Sequence, residues 1–236
     1  MKIFAKIRFY WGAFVISFVT GVLMIPAITL FPKYKGAIMH HLNRVSLFLM
    51  GSRAVQEGEM DPQADMYVMN HQGIIDIVGM EALQSNHLCW IAKKELFDTP
   101  WFGHLLHNAD MISLDRSNKA GLIKLMKDVK RSLEEKERAV AIFPEGTRAK
   151  EEKVLPFKQG TRMIAEKLGL NIQPIVITGS KWVLNEHNRT GHSGTVHYKF
   201  LPTIKADKTD GKWFDTLHSQ MQEEIDHIAK AYHRNR

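Results

Sequence analysis

The sequence predicts an α/β fold in which a mostly parallel sheet is covered by helices on both faces and follows two apolar N-terminal helices. From residue 65 onward, short continuous apolar runs alternate with segments of helical periodicity, as in parallel sheets buried on both faces. Before them, residues 9–31 carry no charged side chain. With 236 residues, of which 44% are hydrophobic and 24% charged, the chain can form a substantial core.

The first 58 residues are expected to form a membrane-associated helical pair. A helix over residues 9–31 would be ~34 Å long, enough for a hydrocarbon core of ~30 Å. Pro26 interrupts this run and basic residues flank both of its ends, so the sequence does not favour a simple span with one orientation. A second apolar pattern follows at helical spacing, in Ile38, Leu42, Val45, Leu49 and Met50. Two helices that enter one leaflet explain both features, and a spanning helix or a soluble hairpin are the alternatives.

The net charge of +7 is concentrated near the N-terminus, where the first 60 residues carry seven Lys or Arg and two Glu. A basic surface beside an apolar segment is typical of contact with an anionic bilayer. Nucleic acid is the rival partner for a basic chain, but the sequence has no zinc-finger spacing, basic region with heptads or RNA-recognition signature, so no nucleic-acid partner is expected. The single cysteine, Cys89, lies in an apolar run and is expected to be buried and inert.

The domain from 59 to 236 is expected to carry the sheet. Apolar runs predict strands at Met66–Met69, Leu88–Ala92, Met111–Leu114, Val140–Phe143 and Ile172–Thr178. Helical patterns lie between them, at Ile74–Gln84, Trp101–Asn108, Lys119–Lys136 and Gly160–Leu168. Residues 194–200 alternate in polarity and predict a later, edge-like strand. Apolar residues recur at helical spacing from Trp213 to Tyr232, which indicates core packing, with a membrane contact as the alternative.

The segment from Asn70 to Asp76 places a histidine between a predicted strand and a predicted helix. Residues five apart point to different faces of a continuous helix, so His71 and Asp76 meet only if His71 lies in the turn before the helix. Gly73 gives that turn its backbone freedom. Asp76 would then accept from one ring nitrogen and leave the other to take a proton from an alcohol. A structural histidine and a helix-capping aspartate are the alternative interpretation.

Further segments follow this motif in order: Met111-Ile112-Ser113-Leu114-Asp115-Arg116, Phe143-Pro144-Glu145-Gly146-Thr147-Arg148 and Ile172-Gln173-Pro174-Ile175-Val176-Ile177. Together with the histidine motif they resemble the four sequence blocks of the glycerolipid acyltransferases, the His-x4-Asp family. Residues 92–96 and 157–160 are also similar to family positions, and the resemblance runs from about residue 65 to residue 179. It implies a membrane-embedded helical pair and an enzyme that acylates lysophosphatidic acid at the sn-2 hydroxyl, giving phosphatidic acid.

The catalytic residues implied by this resemblance are His71 as general base and Asp76 as the group that orients it. Ligands of parallel sheets bind at the carboxyl ends of the strands, and the motifs follow predicted strand ends, so they are expected to converge at one edge of the sheet. Backbone amides of the Gly73 turn are one hypothesis for stabilising the oxyanion, and Lys93 is a second candidate.

The substrate-binding residues are expected in the second and third blocks. Arg116 and Arg148 are the candidate phosphate clamps, because a guanidinium group matches a phosphate bidentately. Gly146 allows a close approach of the backbone, and Thr147 adds a hydroxyl donor. Glu145 is expected to position Arg116 or to accept from a glycerol hydroxyl.

No resident cofactor is expected, because a thioester, from acyl-CoA or an acyl carrier protein, is already an activated co-substrate. No metal is expected either, because no carboxylate or cysteine stands at ligand spacing near His40 and His41 or near His104 and His107. The sequence has no Gly-x-Ser-x-Gly element, dinucleotide fingerprint or P-loop. The expected partners are an anionic bilayer surface, lysophosphatidic acid and the thioester carrier, at the inner (cytoplasmic) membrane with the catalytic domain on the cytoplasmic side. The alternatives are another lysolipid acceptor, a lipid-binding scaffold, and a hydrolase or transacylase.

Overall fold

A computed structural model describes residues 2–115 and 119–234 of the chain. Its helices are α1 (Lys2–Phe18), α2 (Ile25–Leu30), α3 (Lys35–Leu49), α4 (Ile74–Leu83), α5 (Lys94–Phe97), α6 (Phe102–Asn108), α7 (Lys119–Glu134), α8 (Gln159–Leu168), α9 (Ser180–Val183) and α10 (Trp213–Arg234). Its strands are β1 (Ser52–Glu57), β2 (Met66–Met69), β3 (Cys89–Lys93), β4 (Ile112–Leu114), β5 (Val140–Ile142), β6 (Asn171–Thr178), β7 (Leu184–Asn185), β8 (Thr190–Gly191), β9 (Gly194–Phe200) and β10 (Ile204–Lys205).

The main sheet has the strand order β1-β9-β6-β2-β5-β3-β4, with β10 paired to β6. Strands β6, β2, β5, β3 and β4 are parallel, which confirms the predicted sheet and its strands. Strand β9 runs antiparallel to β6 and is not an edge strand, because β1 pairs with its other side in parallel.

The predicted domain boundary at residue 58 lies too late in the chain. Strand β1 belongs to the sheet, in a register that runs from Ser52 opposite Gly194 to Glu57 opposite Lys199. The N-terminal helical part therefore ends before Ser52. Sequence patterns missed β1 because none of its side chains is fully buried, as expected for a strand at the edge of a sheet.

The two faces of the sheet bury two apolar layers. In β2, Met66 and Val68 enter the layer covered by α7, α8 and α10, whereas Tyr67 and Met69 enter the layer covered by α1 and α4. This alternation follows from the two-residue period of a strand, and burial of both faces explains why the strand sequences are continuously apolar. The apolar stripe of α10 is buried in the first layer, which confirms core packing for Trp213, Leu217, Met221 and Ile225.

The N-terminal helices form an apolar surface on the second face. Helices α1 and α2 join through a π-helical turn (Val19–Met24) into a continuous segment of 29 residues with a mean hydropathy of 2.3 in its most apolar window. In the described part of the chain, one helix passes the length and composition criteria for crossing a membrane, and it is this segment. A 3₁₀ turn (Pro32–Tyr34) leads to α3, which packs against α4. Large apolar side chains stay exposed on this part, including Ile3, Phe4, Ile7, Trp11, Phe14, Phe31 and Phe48. Such a surface is compatible with membrane association.

Gly79 allows β9 to approach helix α4 closely. Tyr198 of β9 is fully buried, and its hydroxyl donates to the carbonyl oxygens of Ile75 and Asp76, at 2.9 and 3.0 Å. A methyl group at position 79 would lie 2.1 Å from the Tyr198 hydroxyl oxygen. Space at this position therefore sets the distance between the sheet and the helix that carries Asp76.

We expect Gly79→Ala to lower the free energy of unfolding by about 1–3 kcal/mol through overpacking, although alanine favours a helix. The penalty should shrink when Tyr198→Phe removes the hydroxyl, and urea unfolding of the two single variants and the double variant measures this coupling. Gly160→Ala is the matched control, because nothing lies within 4 Å of the added methyl group. Equal costs of Gly79→Ala with and without Tyr198→Phe would contradict this account.

Candidate active site

The carboxyl ends of parallel strands bring the predicted site residues to one edge of the sheet. His71 follows β2, Lys93 ends β3, and the segment from Gly146 to Arg148 follows β5. All of them line one cavity of about 700 Å³. The predicted convergence is confirmed for these residues, whereas Arg116 lies outside the described residues.

His71 and Asp76 meet across the turn before α4, as their spacing predicts. His71 Nδ1 lies 2.8 Å from Asp76 Oδ2, and the Asp76 side chain is fully buried. Because an ionised carboxylate only accepts hydrogen bonds, this contact places the imidazole proton on Nδ1. The geometry leaves Nε2 as the ring nitrogen that can take a proton.

Aromatic packing fixes the plane of the imidazole ring. The His71 ring stacks on Phe143, with centroids 3.9 Å apart and planes inclined by 14°. Phe143 in turn stacks on Trp90, at 5.3 Å. Asp76 thus holds the edge of the ring, and Phe143, the first residue of the third sequence block, packs on its face.

Carboxylates accept hydrogen bonds from all four main-chain N–H groups of residues 71–74, the histidine turn. Glu145 Oε1 accepts from His71 N at 2.8 Å. Asp76 Oδ2 accepts from Gln72 N and Gly73 N, at 2.5 and 2.8 Å. The next N–H group, of Ile74, donates to Glu186 Oε1 at 2.9 Å. The structure therefore does not support the hypothesis that amides of this turn stabilise an oxyanion, because carboxylates already occupy them.

Glu145 lies beneath the site and does not line the cavity. Its side chain is 1% exposed, and Oε2 accepts from Leu155 N at 3.0 Å while Oε1 holds His71 N. Burial raises the pKa of its carboxyl to about 7, although both backbone hydrogen bonds oppose this shift. Both oxygens of Glu145 hold main-chain N–H groups, of His71 and Leu155, and the side chain lies outside the cavity, so the structure does not place it to accept from a glycerol hydroxyl. Its alternative role, positioning Arg116, involves a residue outside those described.

The rest of the third block forms the rim of the cavity. Gly146 has a left-handed backbone, with φ of 66°, which allows the chain to turn after Glu145. Thr147 and Arg148 are exposed to solvent, and the Arg148 guanidinium donates to the Glu186 carboxylate. The next residue, Ala149, donates its N–H to the His71 carbonyl oxygen at 2.7 Å. The loop that carries Arg148 is thereby fixed to the histidine turn.

The cavity runs from this rim into an apolar interior. Its walls come from α1 and the π-helical turn, α3, α4, α6 and β3, and include Phe9, Ile16, Met24, Met39, Ile77, Val78, Trp90, Phe102 and Leu105. Its volume lies within the range of about 300–1,000 Å³ of ligand pockets. An apolar pocket with a histidine base and two cations at its mouth suits a ligand with a long hydrocarbon chain and an anionic head.

Sequence reasoning missed two carboxylates of the cavity wall, Glu81 and Glu186. Glu81 lies on α4 two turns beyond Ile74, is 1% exposed, and accepts from Trp90 Nε1 at 2.7 Å. Burial raises the pKa of its carboxyl to about 7, and the hydrogen bond from Trp90 opposes the shift. Apart from Asp76, Glu81 is the one charged residue of helix α4, and this was the only sequence signal for it. No motif surrounds Glu186.

A carboxylate-held histidine at the mouth of an apolar cavity, on an α/β sheet, defines an enzyme that transfers groups to or from lipids. A family model described as Acyltransferase matches residues 53–178. The chain belongs to this acyltransferase family, and it is an acyltransferase.

Several proteins of this kind are similar to the chain. A 1-acyl-sn-glycerol-3-phosphate acyltransferase of Helicobacter pylori is 39% identical over 186 residues, which cover 78% of this chain and 77% of that protein. An enzyme of the same name from Cocos nucifera is 31% identical over 195 residues, 82% of this chain and 60% of that protein. The crystal structure of the 1-acyl-sn-glycerophosphate (LPA) acyltransferase from Thermotoga maritima has a TM-score of 0.76 at 20% identity, over 96% of this chain and 95% of that one, which shows a shared fold.

We expect Glu81→Gln to stabilise the protein at high pH. A buried carboxyl with a pKa near 7, against 4.5 for the ordinary group, binds its proton more tightly in the folded state. Its contribution to stability is therefore lost as the pH rises from about 4.5 to about 7 and stays constant above. Glutamine mimics the protonated form, so urea unfolding should show a gain over wild type of about 3 kcal/mol at pH 8 and almost none at pH 4. Glu151→Gln, at an exposed site, is the control, and an equal effect of Glu81→Gln at both pH values would refute the shift.

At pH 8, where Glu145 is mostly ionised, Glu145→Gln should weaken both folding and catalysis. The amide NH₂ group would face one of the two N–H donors, which costs about 1–3 kcal/mol in the free energy of unfolding. A displaced His71 main chain should lower kcat by about tenfold to a hundredfold, with less effect on the substrate KM values. Denaturation curves and steady-state rates measure the two effects, again with Glu151→Gln as control. Unchanged kcat would show that this anchor does not position His71.

Proposed function

We propose that the protein transfers a fatty acyl group from an acyl thioester to the sn-2 hydroxyl of 1-acyl-sn-glycerol 3-phosphate, giving phosphatidic acid in phospholipid biosynthesis. The observation that carries the proposal is the His71–Asp76 pair at the mouth of the apolar cavity, beside Lys93 and Arg148. The names of the similar proteins from Helicobacter pylori and Cocos nucifera support the same acceptor.

In the proposed reaction His71 acts as the general base. Nε2 removes the proton of the acceptor hydroxyl while Asp76 stabilises the imidazolium ion that forms. The hydroxyl oxygen bonds to the thioester carbonyl carbon, and the tetrahedral intermediate collapses with cleavage of the carbon–sulfur bond. The leaving thiolate receives the proton from His71, so that phosphatidic acid and a free thiol are the products. No resident cofactor enters this sequence of steps.

Cationic side chains at the rim are proposed to bind the charged parts of the reactants. Arg148 presents a guanidinium group, which pairs bidentately with a phosphate. Lys93, at the end of β3, is proposed to stabilise the oxyanion of the tetrahedral intermediate, because carboxylates already engage the amides of the histidine turn. Arg116 is proposed from its sequence motif as a second phosphate ligand.

The proposed location is the inner membrane, with the catalytic domain on the cytoplasmic side. The exposed apolar side chains of the N-terminal helices supply the membrane contact, and the basic N-terminal segment suits anionic lipid. The acyl donor is proposed to be acyl-CoA or the thioester of an acyl carrier protein, and the two carriers are distinguished by assay.

We expect detergent-solubilised wild type to form phosphatidic acid from lysophosphatidic acid with at least one of these thioesters. His71→Ala should lower kcat by about 10²–10⁴-fold, the usual contribution of a general base. His227→Ala is the matched control, because His227 is an exposed histidine on α10. Activity of His71→Ala close to that of wild type would refute the mechanism, and lack of product with either donor would refute the acceptor.

A further inference from the structure

Glu186 connects the α4 N-terminus with the rim of the cavity. It follows β7, in the short hairpin that β7 and β8 form, and it lies beyond residue 178, where the family match ends. One carboxylate oxygen accepts from Ile74 N at 2.9 Å, and the other accepts from Arg148 Nη1. Glu186 and Arg148 line the same cavity as His71.

This carboxylate is better fixed than the arginine that it binds. Ile74 is the first residue of α4, and a helix N-terminus favours a negative charge. The Glu186 side chain is 26% exposed, whereas that of Arg148 is 48% exposed. A half-exposed arginine on a loop would otherwise distribute over many rotamers. The contact with Glu186 restricts Arg148 and uses only part of the five N–H donors of its guanidinium group.

Helix α1 supports the hairpin in this position. Strands of two residues each are too short to hold a hairpin in place by themselves. Gly191 of β8 lies directly against α1, where an added methyl group would meet Phe9 N at 2.9 Å and the carbonyl carbon of Arg8 at 3.0 Å. The hairpin thus contacts helix α1 on one side and the histidine turn on the other.

We infer that Glu186 is a positioning residue for the acceptor: it holds Arg148 at a fixed place relative to His71, so that an acceptor bound by its phosphate presents its hydroxyl to Nε2. The inference rests on the proposed function, in which Arg148 binds the phosphate. Its basis is that one carboxylate joins Arg148 to the helix whose Asp76 orients the His71 ring.

The test is a kinetic comparison of Glu186→Ala and Glu186→Gln with wild type, over a range of lysophosphatidic acid concentrations at saturating thioester. Glu186→Ala should raise KM for lysophosphatidic acid by about fivefold to twentyfold, the effect of losing one charge-assisted contact, and leave KM for the thioester unchanged. Glu186→Gln keeps an acceptor oxygen without the charge and should give an intermediate KM.

A double-mutant cycle separates positioning from a purely structural role. In an Arg148→Ala background, Glu186→Ala should add almost nothing, because its effect is carried by Arg148. Glu151→Ala is the matched control: it removes an exposed carboxylate that pairs with Lys153, and it should leave both KM values unchanged.

The possible results are distinct. An unchanged KM for lysophosphatidic acid in Glu186→Ala shows that the Glu186–Arg148 ion pair does not affect acceptor binding, and it overturns the inference. A lower KM shows that the carboxylate competes with the phosphate, and an equal loss in the Arg148→Ala background shows a structural role; each overturns it as well. Wild type that forms no phosphatidic acid overturns the proposed function instead.

Discussion

One buried oxygen, Asp76 Oδ2, accepts hydrogen bonds from the His71 ring and from the main-chain N–H groups of Gln72 and Gly73. A carboxylate inside a protein is costly unless donors replace the water that it loses. Here the same donors are the His71 ring and the turn that carries it, and the α4 N-terminus adds a favourable dipole. The orientation of the imidazole and the conformation of the turn at Gln72 and Gly73 therefore both depend on the Asp76 carboxylate.

Carboxylates from three parts of the chain complete this arrangement. Glu145 comes from the loop after β5, Asp76 from α4 and Glu186 from the β7–β8 hairpin, and together they accept the four successive N–H groups of residues 71–74. These contacts fix the turn, and they leave none of its four main-chain N–H groups available to a ligand. Of the described residues that line the cavity, Lys93 and Arg148 carry the positive charges that a developing oxyanion and a phosphate require. Glu186 links these two sets of groups, because it accepts from both Ile74 N and Arg148.

The sequence predicted the strands from β2 to β6 because burial on both faces leaves a continuous apolar run, which is a strong pattern. It predicted the meeting of His71 and Asp76 because the spacing of the two residues allows only one geometry. It did not predict β1 or the β7–β8 hairpin, because their short, half-exposed segments bury too little apolar surface to leave a pattern.

The role of Glu145 could not be read from the sequence either. The sequence of the motif is the same whether the glutamate oxygens bind a ligand or main-chain N–H groups. Only the fold shows that both oxygens of Glu145 bind N–H groups of residues far apart in sequence, His71 and Leu155. Glu186 is a similar case, since its partners lie 112 and 38 residues away.

Helix α1 and the π-helical turn supply part of the cavity wall, through residues that include Phe9, Ile16 and Met24, and the same helical segment exposes apolar side chains outward. The N-terminal helices and the α/β part are therefore not separable modules. A truncated chain that begins at β1 would not be a soluble catalytic domain, because its pocket would lose one wall and open to water. Removal of the N-terminal helices would therefore cost the protein part of its cavity as well as its exposed apolar surface.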